Sequence, residues 1–303
     1  MNGPDRLQSF HPLLPWVPLA LLLAAAPAQL HAGAWTQPQG GFYSKLAGLS
    51  FSSVAYLDLD GERQDRAEDP RGELSDRGYS AYLEYGLLER LTLVASLPYK
   101  SLEFRNPTEA RYFEALDSTI VRQHPDQSAS GLADLELRLR WRLLLEPAVV
   151  SLAAGGKLPL GYEVPTEIPE SYVPLGTGET DAEVRLLVGT SLYPVPGYVT
   201  GTLGYRRRGG EYGDELFHGL EGGYSFDRLL LKGVIEGIQT LGDCGATGEG
   251  GGLVGDQNNL KLSPGLIWSL SDRVEISADL FHIVSGCNTA AGTTYALGLA
   301  FKG

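Results

Sequence analysis

Asp134, Glu136, Arg138, Arg140 and Arg142 stand at every second position and alternate with Leu135, Leu137, Leu139, Trp141 and Leu143. On a β-strand, residues two apart share a face. This spacing therefore gathers carboxylates and guanidinium groups on one wall and leaves the other wall apolar. Such a wall could hold or steer ions, because arginines at i and i+2 repel one another unless a carboxylate or a passing anion sits among them. The same alternation places Lys157, Asp181, Glu183, Arg185, Arg206, Arg208, Glu236, Lys261, Glu275 and Asp279 on the charged side, with Glu84, Lys100, Glu221 and Lys232 in addition. Both signs are present. The charges could line a polar pathway and set the field along it, or pair across neighbouring strands and fill the interior.

Other chemistry is weakly served. A nucleophile must lie within hydrogen-bond reach of its base. Ser285 is an odd number of residues from His282, which on a regular strand puts the two on opposite faces, and His218 has no serine nearby on its own face. An enzyme of the outer-membrane phospholipase type is thus the third and weakest reading, and no motif of an omptin-like protease is found. No Cys/His spacing suits a metal, and no motif calls for a cofactor. The glycine-rich run 245–255 has no helix after it to cradle a phosphate and reads as a loop. A net charge of −13 argues against nucleic acid as a partner. Cys244 and Cys287 are the two cysteines. An even count in an exported chain suggests a disulfide, with both residues in predicted loops on one side and two free thiols as the alternative.

Export is read from the N-terminus. Arg6 lies in a short polar start, an apolar stretch rich in Leu and Ala runs from Leu13 to Leu30, and small residues then offer cleavage after Ala32 or after Ala34. This is the order of a secretory signal peptide, assigned to 1–34. Pro12, Pro15, Pro18 and Pro27 disfavour an uncleaved spanning helix. Residues 35–303 form one domain in this reading, with no passenger and no plug.

The alternation recurs along the rest of the chain. Strands are expected near 41–56, 78–88, 91–102, 131–144, 148–160, 180–192, 197–208, 216–226, 229–240, 258–270, 274–285 and 293–302. Short turns alternate with long polar loops at 57–77, 103–130, 161–179, 209–215, 241–257 and 286–292. Strand 229–240 is ambiguous, because Leu229–Leu231 is apolar throughout. Tyr85, Trp141, Tyr193, Tyr198, Tyr224 and Trp268 near strand ends fit interfacial girdles. Tyr295, Leu297, Leu299 and Phe301 alternate at the C-terminus like the last strand of outer-membrane barrels, although Lys302 and Gly303 follow the final aromatic. The fold class is all-β: a closed antiparallel transmembrane β-barrel of about twelve strands, with short periplasmic turns and long extracellular loops. A soluble sandwich would also alternate, but it would not need this many strands with turns short at one end and long at the other.

Four segments carry a family resemblance: G-G-F-Y-S-K-L from Gly40, Y-L-E-Y-G-L-L-E-R-L-T-L-V-A-S-L-P-Y from Tyr82, S-G-L-A-D-L-E-L-R-L-R-W-R-L-L from Ser130 and K-L-P-L-G-Y from Lys157. In these the chain resembles bacterial outer-membrane transporter-like barrels of the kind associated with the meta-cleavage pathway of phenol degradation. The resemblance implies an outer-membrane location and uptake of small solutes, hydrophobic or aromatic ones among them, and it supplies no catalytic residues. The first functional expectation is a channel or passive transporter with a charged lumen. The alternative is a closed structural or surface-interaction barrel acting through its loops. Expected partners are outer-membrane lipids, lipopolysaccharide, the barrel-assembly machinery and a small-molecule solute. The acidic run from Asp58 to Glu73 could meet lipopolysaccharide through divalent ions.

Overall fold

A run that alternates apolar with polar residues buries one face and pairs its backbone sideways, so the periodicity sets where strands form. The computed structural model describes residues 33–65, 72–105, 108–113, 118–123, 125–165, 173–245 and 255–303, with backbone alone for 108–113 and 118–123. The proposed leader, up to Ala32, lies outside the described residues, as does most of the glycine-rich run. The described strands are β1 (Phe42–Leu57), β2 (Arg63–Asp65), β3 (Glu73–Leu88), β4 (Leu91–Arg105), β5 (Thr108–Phe113), β6 (Ser118–Gln123), β7 (Gln127–Leu132), β8 (Asp134–Leu144), β9 (Val149–Pro159), β10 (Asp181–Ser191), β11 (Gly197–Arg207), β12 (Glu215–Phe226), β13 (Leu229–Thr240), β14 (Asn258–Ser269), β15 (Val274–Cys287) and β16 (Thr289–Lys302).

The strands pair antiparallel in chain order, and β16 returns to β1, from Tyr43 opposite Lys302 to Leu57 opposite Thr289. Closure leaves no free edge in the wall, which a bilayer requires. β7 and β8 are two halves of one wall strand, since both pair with β4. With them counted as one, twelve strands close the barrel. β2 is a short addition to β1, and β5 and β6 pair only with each other in the connection between β4 and β7.

The break between β7 and β8 has a local cause. Pro98 in β4 has no N–H to donate. The ladder steps from Tyr99 opposite Leu132 to Ser96 opposite Glu136, so residues 133–135 face residues 97 and 98. The extra residue makes a bulge, with Ala133 N donating to Pro98 O at 2.9 Å.

Each of the twelve expected strands has its counterpart within a few residues, but the loops differ. The span expected as a loop at 286–292 is strand apart from Asn288, which turns the chain at φ 51°. Asparagine tolerates that left-handed backbone better than most residues. Cys287 is consequently the last residue of β15, not part of a loop. Much of 103–130 is also strand: β4 runs on to Arg105, and β5, β6 and most of β7 fall inside it. β2 and the start of β3 fall inside 57–77.

Cys244 and Cys287 are joined by a disulfide, with their Cα atoms 6.3 Å apart and a sequence separation of 43. The bond ties the connection after β13 to the turn between β15 and β16. By loop-closure entropy, a cross-link of this span contributes about 4 kcal/mol. The double variant C244S/C287S is expected to leave the barrel closed but make this connection the first point of cleavage in limited proteolysis. Unchanged cleavage would show that the neighbouring hydrogen bonds hold the connection unaided.

Outward positions form an apolar belt that includes Leu46, Tyr79, Leu139, Trp141, Leu220, Leu262, Leu297 and Phe301. In the ambiguous strand, Leu231 faces outward and is exposed while Leu230 is half-buried. Phe42, Tyr85, Trp141, Tyr193, Tyr224, Phe226, Trp268 and Phe301 ring the short-turn end, as an interfacial girdle does. Tyr198 does not belong to that girdle. Only 2% of it is exposed, it points inward, and its hydroxyl donates to Glu221 at 2.6 Å.

The lumen is not left to strand side chains alone. Residues 33–38 run inside the barrel ahead of β1. Ala34 packs with Val149, Ala153 and Leu187, and Trp35 stands edge-on to Tyr198 at 6.2 Å. This short strap occupies part of the lumen. The sequence did not announce it, because the strap carries no alternation of its own.

Candidate functional site

The charged wall is built by register. Arg138 lies opposite Gly155, Gly155 opposite Glu183, Glu183 opposite Arg206, and Arg206 opposite Glu215. This single rung crosses five strands, β8 to β12, and alternates in sign around a glycine. Gly155, which has no side chain, is the rung residue between Arg138 and Glu183. Glu183, with 1% of its side chain exposed, pairs with Arg138, with Arg185 at 2.9 Å and with Arg206 at 2.8 Å. Arg138 also pairs with Glu136, and Arg206 reaches Glu136 and Glu215, each at 3.4 Å. The Phe217 ring lies under the guanidinium groups of Arg185 and Arg206, at 4.6 and 4.5 Å, adding cation–π attraction.

A second rung repeats the device across the barrel. Lys232 lies opposite Gly265, which lies opposite Asp279, and Asp279 pairs with Lys232 at 3.0 Å and Lys45 at 2.9 Å. Nearer the short turns, Glu275 pairs with Lys302 at 2.6 Å. Towards the long loops, Lys157 bridges Asp134 at 3.1 Å and Asp181 at 3.2 Å, while Tyr162 donates to Asp134. Arg208 meets Glu215 at 3.3 Å and Asp256 at 3.2 Å.

The three arginines of β8 take separate partners. Arg140 binds Glu84 at 2.9 Å and the Trp35 carbonyl of the strap at 2.7 Å. Glu84 also accepts from Gln37 at 2.9 Å and from the Tyr82 hydroxyl at 2.5 Å. Arg142 leaves the network and donates to the turn carbonyl of Glu89 at 3.0 Å.

Glu236 and Lys261 differ from the rest. They lie directly opposite each other on β13 and β14, yet neither makes an ion pair among the described residues. Both line a cavity of about 510 Å³, with Glu136, Arg138, Arg185 and Arg206 on its other side. Towards the long loops the lumen turns apolar. Leu74, Leu102, Phe104, Val173, Leu175 and Ala290 form a buried cluster there.

Several partners of this network were not singled out from sequence. Lys45 and Lys302 lie on the inward parity of their strands, which was the available signal. Glu215 sits one residue before the expected start of its strand. Asp256 and the strap residues Trp35 and Gln37 lie in segments without periodicity. At the loop end, the Tyr205 hydroxyl and the Arg208 backbone N–H hold the Asp214 carboxyl below the usual carboxylate range. Gln64 and three backbone N–H groups do the same for Asp58.

The parity argument against a His282–Ser285 pair also needs correction. A bulge in β15 sets Ser285 opposite Leu260 and Ile283 opposite Lys261, so Ser285 falls on the outward side with His282. The His282 ring bonds instead with the Thr293 hydroxyl, at 2.8 Å. No cluster of His, Cys, Asp and Glu suited to a metal occurs among the described residues.

A closed twelve-stranded barrel with an apolar belt and a charged interior has the architecture of outer-membrane β-barrels. No family model matches the chain, and neither does any curated protein. Among solved structures, an outer membrane channel from Pseudomonas putida F1 has the same fold, with a TM-score of 0.62 at 13% identity over 90% of this chain and 98% of that one. The KdgM porin has a TM-score of 0.44 at 9% identity, covering 85% of this chain and 98% of its own. The CymD monoaromatic hydrocarbon channel has a TM-score of 0.42 at 12% identity, over 92% and 91%. The last two likenesses are too slight to carry an argument. The first is a likeness of fold.

Proposed function

We propose that this chain is an outer-membrane channel through which small solutes pass passively along a charged lumen. The observation that carries the reading is the mid-lumen cavity, where Glu236 and Lys261 make no ion pair among the described residues while most neighbouring charges are satisfied. Ions tethered in a water-filled space set the local field for whatever passes. The apolar cluster nearer the long loops favours solutes with an apolar body and a polar end. In this reading the belt lies in the outer membrane, the long loops face outward towards lipopolysaccharide, and the C-terminal strand is what the barrel-assembly machinery recognises. Catalysis forms no part of the proposal.

The test is single-channel conductance of the refolded protein in a planar bilayer, with reversal potential under a salt gradient. Discrete conductance steps are expected. Changing Arg138, Arg140 and Arg142 to glutamine should shift selectivity towards cations, because Glu136, Glu183 and Glu84 lose the guanidinium groups that now neutralise them. Unchanged selectivity in a conducting barrel would defeat the claim that this wall sets it. Silence from a correctly folded barrel would favour the second reading, a structural barrel acting through its loops. The dense pairing of the lumen and the strap inside it are the observations on that side.

A further inference from the structure

The leader could be cut after Ala32 or after Ala34, and sequence does not separate the two. The fold does. Ala34 has no exposed surface and fills a niche against Val149, Ala153 and Leu187. Its carbonyl accepts the hydroxyl of Ser151 at 2.6 Å, and Ser151 is itself fully buried. Cleavage after Ala34 would empty that niche and leave the Ser151 hydroxyl without its acceptor. Cleavage after Ala32 keeps every one of these contacts and makes Gly33 the first residue.

Gly33 lies at the lumen cavity. A Cβ built on it would stand 3.8 Å from Thr200 Oγ1 and 3.4 Å from Leu187 Cδ2. Around the same cavity, Thr200 Oγ1 and Asn259 Oδ1 are buried without a hydrogen-bond partner among the described residues. Thr200 is 5% and Asn259 8% exposed. The carboxylate of Glu236 lines the space without an ion pair among the described residues, beside Glu221 and Glu136; the cations that also line it are Lys261, opposite Glu236, and Arg138, Arg185 and Arg206, which all pair with Glu183. The Thr200 and Asn259 oxygens and the carboxylates are acceptors or can act as such. An ammonium group has three donors and no acceptor, so the cavity has the chemistry to hold one.

We infer that processing occurs between Ala32 and Gly33, and that the α-ammonium group so created is a fixed cation of the lumen cavity, held by the Glu236 carboxylate and the Thr200 hydroxyl. The step is hydrolysis by an envelope signal peptidase. Water adds across the peptide bond, which breaks; its oxygen ends on the new Ala32 carboxylate, and both of its protons end on the Gly33 nitrogen, which becomes the ammonium. The inference rests on the export part of the proposed function and not on conduction.

The experiment uses protein extracted from outer membranes and digested with trypsin. A peptide running from Gly33 to Lys45 is the expected N-terminus; one beginning at Trp35 overturns the inference. Export itself fails as a separate outcome, with the chain found outside the membrane fraction and still beginning at Met1. The second readout is amine labelling at neutral pH, followed on the same N-terminal peptide. Each unit by which carboxylates raise an amine pKa cuts its reactive neutral form about tenfold, so Gly33 should label at least about tenfold more slowly in the folded barrel than in urea. The variants E236Q and T200V should each bring the folded rate towards the unfolded one. Equal labelling in the folded and unfolded protein would overturn the fixed cation even if processing falls at Gly33.

Discussion

Replacing Glu183 with glutamine is expected to cost the barrel about 3 kcal/mol of stability, the usual scale for removing one partner from a buried ion pair. The size follows from connectivity. Among the described residues, Glu183 is the one carboxylate that meets Arg138, Arg185 and Arg206 together, and its side chain is 1% exposed. A glutamine fits the same volume, but its amide turns N–H groups towards guanidinium groups that also donate. Arg138 and Arg206 keep Glu136, and Arg206 keeps Glu215, whereas Arg185 has no other carboxylate partner among the described residues. The midpoint of urea unfolding, followed by the heat-modifiable shift of the folded barrel on a gel, reads the effect. In a conducting barrel the same variant should move the reversal potential towards anions. An unaltered midpoint would mean that water already screens the rung and that the network adds little to stability.

The second large effect is expected from the strap. Deleting residues 33–37, so that Pro38 follows the leader directly, removes Ala34 and Trp35 from the lumen while leaving every wall strand intact. Conductance should rise severalfold, because the deletion widens the passage beside Val149, Ala153 and Leu187. The fold should survive, since Arg140 loses the Trp35 carbonyl but keeps Glu84. Single-channel recording of the deletion beside the intact chain checks this. Equal conductance would show that the narrowest point lies elsewhere, with the inward-folded residues Val173 and Leu175 at the loop end as the next place to cut.

The wall of this barrel was legible because its signal is local. In β8 each residue declares its face through its neighbours, and a strand of period two between lipid and water must keep that alternation over its whole length. Lys45 and Lys302 obeyed the same rule and could have been read from it. Tyr198 shows where the rule needs care: an aromatic near a strand end resembles a girdle residue, and only inward parity separates the two. Parity itself fails where a bulge inserts a residue, as between His282 and Ser285. The turn at Asn288 was hidden for a different reason, since small polar residues around it resemble a loop although they pair as strand.

By itself, the sequence determined that the chain is an all-β barrel and how many strands close it, because both follow from side-chain periodicity. Only the tertiary structure decided which charges meet. Partners such as Arg138 and Glu183 lie two strands apart, so their contact depends on barrel register and on Gly155 between them. It also decided that residues 33–38 turn back into the lumen. That path is held by contacts to Ser151, Arg140 and Tyr198, which come together only once the sheet has closed.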